Sequence, residues 1–381
     1  MDFDWAADEI ELIARVRDFA ARELRRPCAD RDRDAVFGRD EWSACGAYGL
    51  LGLPVPPEYG GAGRGRLLTA RILEALGELS TDRGLLFSAA AHMCACLVPI
   101  WQHGAPEQKD AWLPRLCRGE WIGANAITEA GAGSDIFALR TTAVRRGDGY
   151  LLDGEKSFVS NAPVADVFLV YASTDPSLGA LGLSAFVVPR STPGLTVLPA
   201  FRTIGLRTTP IAAVTFNGCT VPAGHRLGAE GDGKAAFETS MAWERLCLFG
   251  IWLGLMQAQL DQTLTHANGR RQFGRPIGKN QAISHRIADM KLRLEAARWM
   301  LYRACWLADR GRSTTLDVSL AKLAVSEAAI QSSLDTIQIH GAAGVVTDTG
   351  LEQALRDAIP GTIYSGTSEM HREIVARSLG L

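Results

Sequence analysis

A run of short β-rich segments, bounded on both sides by long stretches of helical periodicity, is the feature that most limits how this chain can fold. Between about Trp121 and Leu227, Tyr150-Leu-Leu, Val167-Phe-Leu-Val-Tyr171 and Leu183-Ser-Ala-Phe-Val-Val188 are short apolar runs of β-branched and aromatic character. Gly147-Asp148-Gly149 has the composition of a hairpin turn. No alternation of strand with crossover helix is visible, which disfavours a doubly wound parallel sheet. Upstream, Ile10, Ile13, Ala14, Val16 and Phe19 recur at near-helical spacing over residues 6–24. A Pro- and Gly-rich loop follows (Pro54 to Gly65), and helical patterning resumes from Leu67 to about Cys117. Downstream, Gly231 to Gly233 closes the β stretch, and helical segments cover about 234–268, 280–311 and 316–340. This order predicts an α+β chain: an N-terminal helical domain (1–120), a middle β domain (121–230) and a C-terminal helical domain (231–381).

Composition narrows the function classes. Lys and Arg number 40 against 42 Asp and Glu, so the chain lacks the basic excess of a nucleic-acid binder. Eight scattered cysteines form no Cys-x-x-Cys, and Cys94 and Cys96 have only His92 nearby. Reduced, buried thiols and no metal site are therefore expected. Met1-Asp-Phe-Asp-Trp5 lacks the basic start and apolar core of a signal peptide, and the longest apolar run, Leu246 to Met256, is about half a membrane span. A cytoplasmic, non-membrane protein is expected.

Four motifs carry candidate chemistry. Ile127-Thr128-Glu-Ala-Gly-Ala-Gly-Ser134-Asp135 combines small residues, which permit close backbone approach, with hydroxyls for the polar edge of a ring or thioester; it also fits a tight interdomain turn. Lys156-Ser-Phe158-Val-Ser160-Asn161 places an aromatic two residues before a hydroxyl, so a regular strand presents both on one face, either to a planar cofactor or as an ordinary half-buried strand. Arg270-Arg-Gln-Phe273-Gly274 interrupts two helices and offers a phosphate partner and an aromatic cover, or a solvated connection. Gln338-Ile-His-Gly341-Ala-Ala-Gly344 and Ser365-Gly366-Thr367-Ser-Glu369 are glycine-centred turns whose amides suit a pyrophosphate.

In this order the motifs resemble the acyl-CoA dehydrogenase family over nearly the full chain. The family pattern runs Thr-Glu-x-x-Ala-Gly-Ser-Asp, Lys-x-aromatic-Ile-Thr-Asn, Arg-x-x-Phe-Gly, Gln-x-x-Gly-Gly and Gly-Thr-Ser-Glu. This chain departs from it at Ser160 and Ala342. The resemblance implies helical, β-barrel-like and four-helix-bundle parts, and a homotetramer with one FAD per subunit. By motif position, Ile127, Thr128, Ser134, Phe158 and Ser160 contact the isoalloxazine; Arg270, Phe273, Gln338 and Gly341 reach FAD from a neighbouring subunit; and Thr367 and Glu369 hold its adenosine-diphosphate part.

The family's chemistry removes an α-proton from an acyl thioester while hydride leaves the β-carbon for flavin, and it needs a carboxylate base. Many members carry Glu immediately before Gly-Thr-Ser; here Ser365 stands in that position. The family's alternative base, a Glu in a Glu-Arg-Leu context, is matched by Trp243-Glu244-Arg245-Leu246. Apolar neighbours would raise the pKa of Glu244 toward a working range. Arg245, Ser365 and Ser134 are the candidate substrate contacts. His285 and His340 lie in helical patterns and read as packed histidines.

Asn161-Ala-Pro163-Val-Ala-Asp166, Gly179 to Phe186, Met241 to Phe249 and Ile363 to Met370 are more closely similar to the L-prolyl-carrier-protein dehydrogenases of pyrrole biosynthesis. That similarity implies oxidation of a prolyl thioester on a peptidyl carrier protein to the pyrrole-2-carboxyl thioester, with electron-transfer flavoprotein or O2 as acceptor. The same motifs also admit a short or branched-chain acyl-CoA dehydrogenase using Glu244, a flavin monooxygenase, and a non-catalytic flavoprotein.

Overall fold

A computed structural model describes residues 4–25, 28–312 and 314–381. The part of the amino-terminal reading that rests on residues 1–3 lies outside them. Helices α1 (Ala7–Phe19), α2 (Arg66–Leu79) and α3 (Arg83–His103) lead the N-terminal part. α3 is long and apolar enough to cross a membrane, but it is mostly buried inside the protein, and a π-helical turn at His92–Leu97 interrupts it. This run exceeds the apolar stretch apparent in the sequence because it is the core helix of a large cluster.

Strands β1 (Gly123–Ala126), β2 (Thr142–Arg146), β3 (Gly149–Ser160), β4 (Val167–Ser173), β5 (Leu183–Pro189), β6 (Leu195–Val197), β7 (Ile211–Pro222) and β8 (Arg226–Leu227) form one sheet. Its order is β6-β7-β3-β2-β4-β5-β8, with β1 beside β4. Pairing is antiparallel except for β1 and β2 against β4. The β2–β3 hairpin turns at Gly147-Asp148, where Gly147 has φ +58°.

β4 is buried along six successive residues because both its faces are covered. Phe168 and Val170 join Tyr150, Phe186 and Val214 in a core that draws on strands β1 to β5 and β7, so the sheet curls around its own interior. Val167, Leu169 and Tyr171 point the other way, into a second core with Leu97, Leu113 and Leu116 of the N-terminal helices and Ala236 of the next helix.

After Gly231, helices α4 (Gly233–Cys247), α5 (Gly250–Gly269), α6 (Gln281–Ala308), α7 (Thr315–His340) and α8 (Ser368–Ser378) follow. The helical pattern expected over 234–268 is thus two helices, broken at Leu248-Phe249. Both residues are fully buried, so periodicity alone does not reveal the break. Glycines let α2 and α5 approach closely: a Cβ at Gly250 would lie 2.3 Å from the Ala70 carbonyl oxygen, and one at Gly254 would lie 2.1 Å from that of Glu74. This crossing joins the N- and C-terminal helices in one core with Leu73, Trp252, Leu294 and Val325. It also fixes the α4–α5 junction, on which the site is built.

Candidate active site

Glu244 lies one turn before the end of α4, and the side chain is almost wholly enclosed. Facing it is the turn Tyr364-Ser365-Gly366, which precedes α8. The Ser365 hydroxyl donates a hydrogen bond to Glu244 Oε1. Burial raises the Glu244 carboxyl above the usual range, opposed by that hydroxyl and by the charge of Arg245.

The turn is unusual for its residues. Ser365 has φ +56° and Gly366 φ +97°. A left-handed serine costs about 1 kcal/mol or more and persists only where its surroundings hold it. Here they do. Arg245 Nε donates to the Ser365 carbonyl at 2.8 Å. His371 Nε2 reaches the same oxygen at 3.2 Å, while its Nδ1 lies 3.0 Å from Ser319 Oγ. Burial, reinforced by the charges of Arg245 and Lys322, lowers His371 to about 4, so the ring is neutral and Nε2 is its donor. Lys322 Nζ donates to the Gly366 carbonyl at 2.7 Å. Tyr364 is fixed by Trp252 Nε1, which donates to its hydroxyl at 2.7 Å, and by the rings of Phe87 and Phe249, 4.8 and 5.7 Å away. Glu244, Arg245 and Ser365 are therefore brought together, with Arg245 committed to the turn.

A second group lies where β1 leads into the glycine-rich loop. Lys156 is fully buried and pairs with Glu129 at 2.8 Å; its Nζ also donates to the Ile127 carbonyl at 3.1 Å. Glu129 further accepts from the Thr141 and Arg140 amides. Burial pushes Lys156 down to about 8, against the pull of Glu129. The Ser157 amide donates to the Thr128 carbonyl at 2.8 Å, so loop and β3 are tied together.

The simple alternation expected at Phe158 and Ser160 is interrupted. The β3–β7 register shifts between Lys156 and Val159, Lys156 and Ser157 are both buried, and Phe158 has φ +54°. This bulge leaves the Phe158 ring 63% exposed, 5.1 Å from Phe201, with Ser160 half-buried at the strand end. The hydroxyls of Thr128, Ser134 and Ser160 have no protein partner among the described residues. Ile127 is buried and offers only its backbone. An exposed ring beside free hydroxyls fits a planar ligand with polar edges, as a flavin has.

The remaining candidates sit at the outer end of the helices. Arg270 follows α5, and Phe273 occupies the tip of a small hairpin, β9 (Arg271–Gln272) with β10 (Arg275–Pro276), 98% exposed. Gln338 and Gly341, at the end of α7, are also exposed. Thr367 is the N-cap of α8, its hydroxyl accepting from the Met370 amide at 3.3 Å, and Glu369 is exposed in the first turn.

His340 stacks on His266, as a packed histidine. All eight cysteines are free and buried. Sequence reasoning missed Lys322, His371 and the Lys156–Glu129 pair. A lone lysine within the apolar run Val318 to Val325 was the available signal for the first.

Comparison with known proteins shows what the chain is similar to. Family models described as acyl-CoA dehydrogenase N-terminal, middle and C-terminal domains match residues 6–120, 124–219 and 231–380. An L-prolyl-[peptidyl-carrier protein] dehydrogenase of Pseudomonas fluorescens is 49% identical, with both chains covered in full. The solved structure of PigA with FAD and proline aligns at a TM-score of 0.98 and 42% identity over the whole of both chains. That of the prolyl acyl carrier protein oxidase AnaB aligns at 0.97 and 42% identity, over 99% of this chain and 100% of that one.

Proposed function

The chain belongs to the acyl-CoA dehydrogenase family, and we propose that it is an FAD-dependent dehydrogenase of an L-prolyl thioester held on a peptidyl carrier protein, with Glu244 as its base. The observation that carries the reading of the base is the enclosed Glu244 carboxylate bonded to Ser365, the residue standing at the position of the usual glutamate. The relatives described above, in which the substrate is prolyl and the cofactor FAD, support the substrate and the cofactor.

FAD, when bound, supplies the hydride acceptor. Thr128, Ser134 and Ser160 would bond its polar edge, and Phe158 would lie against its ring. Glu244 takes the proton from the α-carbon of the thioester. Its raised pKa makes it a stronger base than an exposed carboxylate, and its near-complete enclosure keeps water from competing. The Ser365 hydroxyl keeps a fraction of the carboxyl ionised despite burial. Two such oxidations, with the double bonds settling into the ring, convert prolyl to pyrrole-2-carboxyl.

Arg270, Phe273, Gln338 and Gly341 serve the FAD of a neighbouring subunit in a homotetramer. From Gly250, six residues past Glu244, α5 runs 20 residues, about 30 Å, before it reaches Arg270. Thr367 and Glu369 hold the adenosine side. We place domain boundaries near residues 120 and 230, where helix gives way to strand and back, and the site of action in the cytoplasm, in keeping with eight free thiols. O2 or an electron-transfer flavoprotein reoxidises the cofactor. The test is incubation with L-prolyl-carrier protein and with L-prolyl-CoA, following flavin absorbance and thioester mass. Bleaching with loss of four hydrogens from the carrier-bound prolyl group is expected; no bleaching by either thioester would overturn the reading.

A further inference from the structure

Three basic side chains from three helices, Lys322 and His371 buried and Arg245 half-buried, converge on two consecutive carbonyls. Arg245 of α4 and His371 of α8 meet at the Ser365 oxygen, and Lys322 of α7 meets the next one, at Gly366. Arg245 and Lys322 are the cations of the three, and Lys322 lies in an interior where an unpaired charge is costly. Lys322 has no exposed surface; its Nζ donates to the Gly366 carbonyl and lies 5.7 Å from the centroid of the Phe249 ring. A lysine placed there for packing alone would be poorly chosen, since an apolar side chain of the same volume fills the space without that cost. Its charged end is instead directed at the backbone of the one turn that carries the partner of Glu244.

The backbone geometry says what that accomplishes. The Ser365 hydroxyl reaches Glu244 from a left-handed residue, a conformation that serine seldom adopts unassisted. Released from its carbonyl anchors, the residue relaxes toward negative φ, and the side chain swings off the carboxylate. We propose that Lys322, with His371, is a positioning residue of the reaction: by fixing the Ser365–Gly366 carbonyls it holds the Ser365 hydroxyl on Glu244 and so sets how readily the base ionises. This rests on the reading of Glu244 as the base.

The titratable groups coupled to Glu244 come from every element around it: Arg245 on its own helix, Cys94 from the π-helical turn of α3, Tyr171 from β4 and Tyr364 from the turn. Burial raises Tyr171 and Tyr364, and the bond to Cys247 together with burial raises Cys94, so all three are neutral at working pH. Lys322 and His371 face Arg245. Beside these titratable groups, the Ser365 hydroxyl is the group whose removal favours the protonated carboxyl with no change of charge.

The test uses the FAD-loaded enzyme in two measurements: the pH dependence of flavin reduction by L-prolyl-carrier protein, and direct infrared titration of the Glu244 carboxyl, assigned by its loss in Glu244→Gln. In Lys322→Met the acid limb of the rate and the carboxyl titration both move up by about one to two pH units, the size of losing a hydrogen bond to a charged group. His371→Gln and Ser365→Ala move them in the same direction, and Lys322→Met adds nothing in a Ser365→Ala background. Lys322→Arg, which keeps the donor, stays nearer wild type. An unchanged Glu244 titration in folded Lys322→Met or, should that variant not fold, in His371→Gln would overturn the proposal. Failure of the base reading looks different: Glu244→Gln would then reduce flavin at the wild-type rate whatever the titration shows.

Discussion

The rings of His266 and His340 stack with centroids 4.1 Å apart, and this contact brings the C-terminal ends of α5 and α7 together. Arg270 lies four residues beyond the first histidine, and Gly341 adjoins the second. Four residues from two separate motifs thus share one exposed end of the bundle, remote from Glu244 in the same chain.

The proposed role of this end is to receive the FAD of a neighbouring subunit. Sedimentation of the FAD-loaded protein is expected to show a dimer or tetramer. Phe273→Ala and Arg270→Ala are expected to lower flavin content, read from the visible-to-ultraviolet absorbance ratio, with no loss of helix signal. A stable monomer with full FAD occupancy would contradict this.

The Lys156–Glu129 pair ties the glycine-rich loop to β3. Lys156→Met leaves the Glu129 carboxylate buried without its cation, and a loss of about 3 kcal/mol in urea unfolding is expected, together with weaker FAD retention. Adding Glu129→Gln removes the stranded charge and should recover part of that loss. Wild-type stability in Lys156→Met would show that the pair contributes nothing.

A carrier-borne substrate is recognised partly by the surface of its carrier. kcat/KM for L-prolyl-carrier protein is expected to exceed that for L-prolyl-CoA and to fall with added salt, as association helped by complementary charge does. Equal, salt-independent values for the two thioesters would remove the carrier from the account.

Much of this was legible in the chain because local signals and tertiary outcome agree. The switch from helical period to β-rich runs and back marks the three-part architecture, and Gly147-Asp148 turns where its composition says. The placement of Glu244 beside Ser365 was legible only through motif resemblance, since the two are far apart in sequence and meet through the α4–α5 junction. The bulge at Phe158 was not legible: alternation assumes a regular strand, and the register shift follows from pairing with β7. Lys322 and His371 were hidden for a related reason. Lys322 stands out as a lysine in an apolar run, but nothing local pairs it with the Gly366 carbonyl 44 residues on, and His371 contacts Ser365 only through the left-handed turn between them.

The central claim is that Glu244 removes the α-proton. Glu244→Gln keeps the shape of the site and the hydrogen bond from Ser365 while removing the base. The protein should remain yellow and oligomeric, and its stability need not fall, because a buried charge has gone. The measurement is stopped-flow reduction of the FAD-loaded Glu244→Gln enzyme by L-prolyl-carrier protein, beside wild type at the same flavin content. A rate lower by about 10² to 10⁴ is expected from the loss of general-base help. A rate within a few fold of wild type would show that another group takes the proton.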